Sequence, residues 1–245
     1  MRGDTGIPHP CGACAFYPDS VWQPVENGSI SMLARAFSRK ELANGQTLFD
    51  QGSENRGVFC VSRGLIALRT HHEGGTSTLL RLAYPGEVIG FRSFLEDRLH
   101  LTEARALLPS RVCTVARRDA RRLVQANPTV LARLASRCIS EIDRSHERII
   151  AAATASNKQR LAALLFDLLE AHGEREGNHL RMHLPLSRKD LADLIGVPPE
   201  TLSRLVGRLG KEGFAIDGRN VAIPARTAAK AGTEPPLTKT CPAAS

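Results

Sequence analysis

Six cysteines, Cys11, Cys14, Cys60, Cys113, Cys138 and Cys241, carry the widest chemical range in this chain. A thiolate can ligate a metal, pair with a second thiol or act as a nucleophile, whereas a buried thiol is only a small apolar side chain. Cys11-Gly12-Ala13-Cys14 sets two thiols at a spacing that suits metal binding or a dithiol switch. The pair lies in an arm rich in Pro, Gly and Ser, not between a strand and a helix, so a thioredoxin-like reading is poor. No nucleophile, base and orienting group converge, which makes a thiol or metal redox enzyme the weakest functional class. Cys60 sits in the apolar run Val58-Phe59-Cys60-Val61 and Cys138 on an apolar helix stripe, and both read as buried hydrophobes. His71-His72, just before Gly74-Gly75, read as exposed loop histidines rather than as haem ligands.

The second constellation is Leu186 to Val206. Ser187 can cap a helix with apolar Leu191, Leu194 and Ile195, and Gly196 can end it. Pro198-Pro199 suits the start of a second helix, where a missing amide donor costs little. That helix buries Leu202, Leu205, Val206 and Leu209 and leaves Glu200, Thr201, Ser203, Arg204 and Arg208 outside. Two short helices joined by a Gly-containing turn form a helix-turn-helix, whose second helix enters the major groove. Arginine can donate two hydrogen bonds to guanine, glutamate can accept from cytosine, and serine is adaptable. The hairpin after Lys211, with Asp217-Gly218 between short apolar runs, reads as a wing touching the DNA backbone.

Other elements must position these residues. The 245 residues suffice for two domains, and 42% hydrophobic content supplies cores. A formal net charge of +8 suits an anionic partner. No stretch reaches the roughly 20 apolar residues of a membrane span, and residues 1–10 lack a signal-peptide core, so the reading is soluble and cytoplasmic, with no membrane partner. Without a secretory context a disulfide framework is a weak reading of the cysteines. A short helix is expected over 32–37. Short apolar runs broken by Gly52, Gly64, Gly74-Gly75 and Pro85-Gly86 predict an antiparallel sandwich or roll over about 46–117. A long helix follows at 128–155, whose Leu131, Ala135, Cys138, Ile142, Ser145, Ile149 and Ala152 alternate in steps of four and three. Such a seam needs a partner, most simply a second copy of the chain, although packing on the chain's own roll is the alternative. A second helix is expected over 158–172, a loop over 173–178, and disorder beyond Gly232.

This order, with Gly64, Pro85-Gly86-Glu87 before Ile89-Gly90, and Glu200-Thr201-Leu202-Ser203-Arg204, resembles the Crp/Fnr family of bacterial transcription regulators over residues 30–232. The resemblance implies an α+β chain: an irregular arm (1–30), an antiparallel β-roll like a cyclic-nucleotide-binding jelly roll (31–127), a dimerisation helix (128–155), a winged helix-turn-helix (156–232) and a tail (233–245). It implies a homodimer on double-stranded DNA with palindromic TTGA-type half-sites, and RNA polymerase as a partner. Pro199 stands where the cyclic-AMP receptor branch has an extra arginine, so the Fnr and FixK branches are the nearer likeness. Glu200 and Arg204 are then base readers, Ser203 contacts a base or phosphate, and Thr201, Arg208, Ser187 and Lys211 complete the DNA-binding set. Leu131, Cys138, Ile142, Ser145 and Ile149 form the dimer interface.

In the Fnr branch N-terminal cysteines and one roll cysteine hold a 4Fe-4S iron–sulfur cluster, because thiolates are soft, anionic donors. Cys11, Cys14 and Cys113 match three of these ligands; Ser20 and Trp22 stand where the fourth is expected. Three readings stay open: a cluster completed by Asp19, His9 or Cys60; a thiol switch or another metal; or cysteines without function. A regulator gated by a small ligand in the roll, a cyclic nucleotide or haem, is the alternative to oxygen, nitric oxide or redox sensing. Leu101-Thr102-Glu103-Ala104 replaces the Arg-Ser pair of cyclic-nucleotide binders, which argues against that ligand. Ser145, rather than a carboxylate, occupies the seam, so the dimer is expected to form without the signal.

Overall fold

A computed structural model describes residues 8–224. The expected disorder beyond Gly232, and Cys241, lie outside the described residues. The chain divides into two compact units, one built from residues up to Thr76 with Leu82–Ile142, the other from Ser77–Arg81 and Asp143 onward.

The first unit opens with an arm of turns and helix α1 (Asn27–Ala36). Strands β1 (Phe37–Leu42), β2 (Thr47–Phe49), β3 (Gly57–Arg63), β4 (Ile66–His71), β5 (Ser77–Ala83, of which Ser77–Arg81 is grouped with the second unit) and β6 (Val88–Ile89) follow. Helix α2 (Phe91–Leu95), β7 (Glu103–Ala106), β8 (Ser110–Ala116) and α3 (Arg117–Ala126) lead into the long helix α4 (Pro128–Thr154). The strands form two four-stranded sheets, ordered β1-β8-β3-β6 and β2-β7-β4-β5. Alternation along β3 and β8 splits their side chains between two cores. Phe59, Val61 and Val112 fill the inside of the roll with Leu42, Ile66 and Ala104. Val58 and Val115 face the other way, where Trp22, Leu33, Phe91, Leu123, Val130 and Leu134 cover them. Gly64 has φ +89°, and a Cβ there would meet the Pro109 carbonyl at 2.6 Å, so the tight β3–β4 connection requires glycine.

Two expectations shift here. Helix formation begins at Asn27, not near residue 32, and residue 37 opens β1 instead of closing a helix. Asn27-Gly28-Ser29 is a weak helix start by propensity. It holds because Leu33 is buried in the outer core and the Glu26 amide donates to Asn127 Oδ1 at 3.0 Å.

Helix α4 is 27 residues long, about 40 Å. Val130 and Leu134 are buried against the roll, while Leu131, Ile139, Ile142, Ile149 and Ile150 are exposed. The apolar residues of α4 therefore divide between two faces, of which only one is covered among the described residues.

The second unit holds α5 (Asn157–His172), β9 (Glu174–Glu176), β10 (His179–His183), α6 (Arg188–Ile195), α7 (Pro199–Leu209), β11 (Ala215–Asp217) and β12 (Asn220–Pro224). Its sheet runs β11-β12-β10-β9. The expected loop over 173–178 contains β9, whose Glu-Arg-Glu is exposed throughout, so neither apolar content nor alternation marked it as a strand. Asp217 pairs with Asn220, so the hairpin turn is Gly218-Arg219, one residue beyond the expected Asp-Gly.

Candidate DNA-reading helix and cysteine site

Helix α6 starts in a reciprocal capping box. The Ser187 hydroxyl accepts the Asp190 amide at 3.1 Å, and the Asp190 carboxylate accepts the Ser187 amide at 2.9 Å. Gly196 closes the helix with φ +68°, the left-handed geometry that a side chain would strain. Pro198 then sits extended as the cap of α7, with Pro199 as its first residue. Leu202, Leu205 and Leu209 are buried, as are Leu161, Leu165, Leu168 and Leu169 of α5. The Phe166 and Phe214 rings meet edge-on with centroids 5.1 Å apart and tie α5 to the start of the hairpin.

This packing fixes what α7 presents. Glu200, Ser203, Arg204 and Arg208 are exposed, Thr201 is half-buried, and Lys211 is exposed in the short 3₁₀ turn that follows. Ser187 is half-buried and engaged in its cap, so it acts first on the helix. The Arg188 guanidinium donates to the Gly218 carbonyl at 3.3 Å and links the start of α6 to the hairpin turn, a role with no sequence signal. An acidic and a basic side chain four residues apart at the N-terminal end of an exposed helix can read base edges, and the flanking cations can meet phosphates.

The thiols converge on the outer face of the roll. Across the sheet Arg39 pairs with Cys113, Cys113 with Cys60, and Cys60 with Val88, so the two cysteines share a row. Cys60 packs against the same core as Trp22, on the face of Val58 rather than of Phe59. The arm is pinned over this row, because the Arg39 guanidinium donates to the Pro10 carbonyl at 3.0 Å, next to Cys11. Burial pushes the Cys11 thiol up to about 12, Cys113 and Cys14 add to the rise, and a Ser20 hydrogen bond and the Arg39 charge oppose it. Burial also raises Cys60 strongly, reinforced by Cys11, Cys113 and Cys14, while the Trp22 indole N–H favours its thiolate. The four sulfurs are thus electrostatic neighbours, and the others hinder ionisation of Cys11 and Cys60. Among the described residues no three His, Cys, Asp or Glu side chains close on the position of one metal ion.

His9 and Asp19 are placed otherwise. His9 Nδ1 accepts the Cys11 amide at 3.1 Å and Nε2 lies 2.9 Å from the Trp22 carbonyl, so both ring nitrogens are engaged in shaping the arm. Asp19 is exposed and its backbone carbonyl binds Arg137. Arg133 donates to the Pro18 and Ser20 carbonyls at 2.9 and 2.8 Å and to Gln23 Oε1 at 2.8 Å. These α4 arginines clamp the cysteine-bearing arm to the helix, which i,i+4 spacing alone did not suggest. Of the seam residues, Leu131, Ile142, Ser145 and Ile149 are exposed, and Cys138 is half-buried beside the outer core, its thiol pKa raised by burial. His71 is exposed but lies 3.3 Å from the buried Glu103, which also pairs with Arg105 at 2.9 Å.

Comparison with known proteins agrees with this layout. Residues 159–228 match the family model of the Crp-like helix-turn-helix domain, and residues 39–127 that of the cyclic nucleotide-binding domain. The fumarate and nitrate reduction regulatory protein of Escherichia coli K12 is 27% identical over 215 residues, covering 87% of this chain and 86% of that protein. Regulatory protein HlyX of Actinobacillus pleuropneumoniae is 26% identical over 186 residues, covering 76% and 77%. The structure of FixK2 from Bradyrhizobium japonicum superposes with a TM-score of 0.64 at 18% identity, over 81% of this chain and 98% of that one. A CRP/FNR-family transcriptional regulator from Thermus thermophilus gives 0.66 at 21% identity, over 79% and 97%.

Proposed function

The chain belongs to the Crp/Fnr family of transcription regulators, and from that premise we propose that it is a homodimeric regulator that reads a palindrome of TTGA-type half-sites and senses oxygen, nitric oxide or redox state through its N-terminal cysteines. The observation that supports the reading role is the exposed Glu200, Ser203 and Arg204 ridge on α7, above buried Leu202 and Leu205. Glu200 and Arg204 contact base edges, Ser203 a base or phosphate, and Thr201, Arg208 and Lys211 the backbone. Leu131, Ile142, Ser145 and Ile149 of α4, with Cys138 at their flank, form the seam between two copies. The dimer presents two copies of α7, as a palindrome requires. RNA polymerase is the further partner, and the cytoplasm the site of action.

Cys11, Cys14 and Cys113 supply thiolates for a 4Fe-4S cluster. The donor set fits: the buried Cys11 thiol, crowded by Cys113 and Cys14, resists ionisation until a cation compensates it, and thiolates suit iron. A bound cluster would supply an oxygen-labile redox centre. A cyclic nucleotide in the roll is less well supported, because the buried Glu103 carboxylate already neutralises Arg105 and would repel a phosphate.

The test is DNA binding under anaerobic conditions with a TTGA palindrome and a scrambled duplex. Arg204→Ala should cost about 1–3 kcal/mol on the palindrome and relax its preference at one base pair. An equal loss on both duplexes would remove the base-reading role.

A further inference from the structure

We infer that Cys60, from the middle of β3, is the fourth thiolate of the cysteine site, and that the Trp22 indole N–H is a hydrogen-bond donor to the sulfur of the bound group. The inference rests on the proposed cluster and adds the ligand that the arm itself does not supply.

Three observations carry it. First, Cys60 and Cys113 are register partners on adjacent strands of one sheet, so their side chains leave the same face side by side. The Arg39 bond to Pro10 brings Cys11 over that row, because Arg39 is the other register partner of Cys113. Second, the remaining candidates near the arm are committed elsewhere, His9 through both nitrogens and Asp19 by its outward position. Third, Trp22 is fully buried, yet its Nε1 finds no hydrogen-bond partner. A buried indole N–H without an acceptor is a cost that native cores avoid. Cys60 packs against the core that contains Trp22, so an anionic sulfur at this place turns the unmet donor into a charge-assisted bond.

Four thiolates can serve a single zinc or a polynuclear iron–sulfur group. A polynuclear iron–sulfur group spans a wider space between its cysteines. On its assembly each thiol gives its proton to solvent as its sulfur bonds to iron, and no thiol changes oxidation state.

The full chain, reconstituted anaerobically with ferrous iron and sulfide, tests this. The wild type should bind about four iron and four labile sulfide per protomer. Cys60→Ser should retain three-quarters of the iron or less and change the visible and electron paramagnetic resonance spectra; Cys138→Ser should match the wild type. Trp22→Phe keeps all four thiols, so it should retain the iron while the midpoint potential falls. A wild type that binds no iron and sulfide, or only zinc, overturns the cluster reading itself. A loaded wild type with Cys60→Ser identical to it in iron and spectra leaves that reading standing and overturns the fourth ligand. If Cys60→Ser does not fold, the potential of Trp22→Phe decides: no shift overturns the inference.

Discussion

His100 shows how much a single side chain of the roll is bound to its protonation state. It is 3% exposed, stacked on Phe49 with centroids 3.8 Å apart, and its Nδ1 lies 3.0 Å from Ser93 Oγ. Asn55 extends this network to Ser93 and to the Gly90 carbonyl. Burial lowers the imidazole pKa from 6.5 to about 4. The folded state therefore binds this proton less readily than the unfolded chain. Its contribution to stability is complete above pH 6.5 and is lost as pH falls toward about 4. Urea midpoints of the wild type should drop across this window relative to those of His100→Gln; parallel profiles would show that His100 does not titrate on unfolding. Ser187 acts on a different link, from cap to helix. Ser187→Ala removes a cap with two reciprocal bonds and should destabilise the second unit by about 1 kcal/mol, read as a lower urea midpoint, while base preference at saturating protein is kept.

At the scale of elements, α4 is where sequence pattern and fold had to be separated. Ile142 and Ile149 are 53% and 66% exposed, as are neighbouring Ile139 and Ile150 at 59% each. A run of exposed isoleucines on one helix is costly in water and stabilising against a second copy. Ile142→Asp places two like charges at a two-fold seam and should shift sedimentation from dimer to monomer at micromolar concentration, with at least tenfold weaker palindrome binding. A dimeric Ile142→Asp would place the interface elsewhere. Periodicity marked an exposed apolar stripe, but the same periodicity hid that Val130 and Leu134 serve the roll. The helix boundaries of the helix-turn-helix were legible, because caps, glycine and prolines act locally, whereas Val206, expected to be buried, and Thr201, expected outside, are both half-buried. Strand β9 was not, since Glu174-Arg175-Glu176 gains its conformation only by pairing with β10. Cys60 read both as an apolar residue and as one of three candidate ligands, because only the register with Cys113 shows which face it takes. Trp22 stands where a ligand was expected, and the proposed cluster would give its buried indole N–H a sulfur acceptor.

For the whole molecule the question is how chemistry at the arm reaches DNA. The arm carrying Cys11 and Cys14 is held to α4 by Arg133, through Pro18, Ser20 and Gln23, and by Arg137 through Asp19. The same helix carries the proposed dimer seam and runs on from Ile142 into the second unit. Any rearrangement of the arm on gaining or losing a bound group therefore acts on α4 through these bonds. Hydrogen bonds to a charged group contribute about 1.5–3 kcal/mol each, and a tenfold change in affinity needs only about 1.4 kcal/mol, so losing one or two suffices to shift the equilibrium. Arg133→Ala should bring the ratio of palindrome affinities, anaerobically loaded over air-exposed, from about tenfold toward one, with iron content within error of wild type. Arg133→Lys, which keeps the charge but loses the fork that reaches Pro18, Ser20 and Gln23 together, should fall between. Binding to the palindrome by fluorescence anisotropy, before and after exposure to air, measures both. A ratio unchanged in Arg133→Ala would make the clamp a purely structural brace and send the signal by another route into α4.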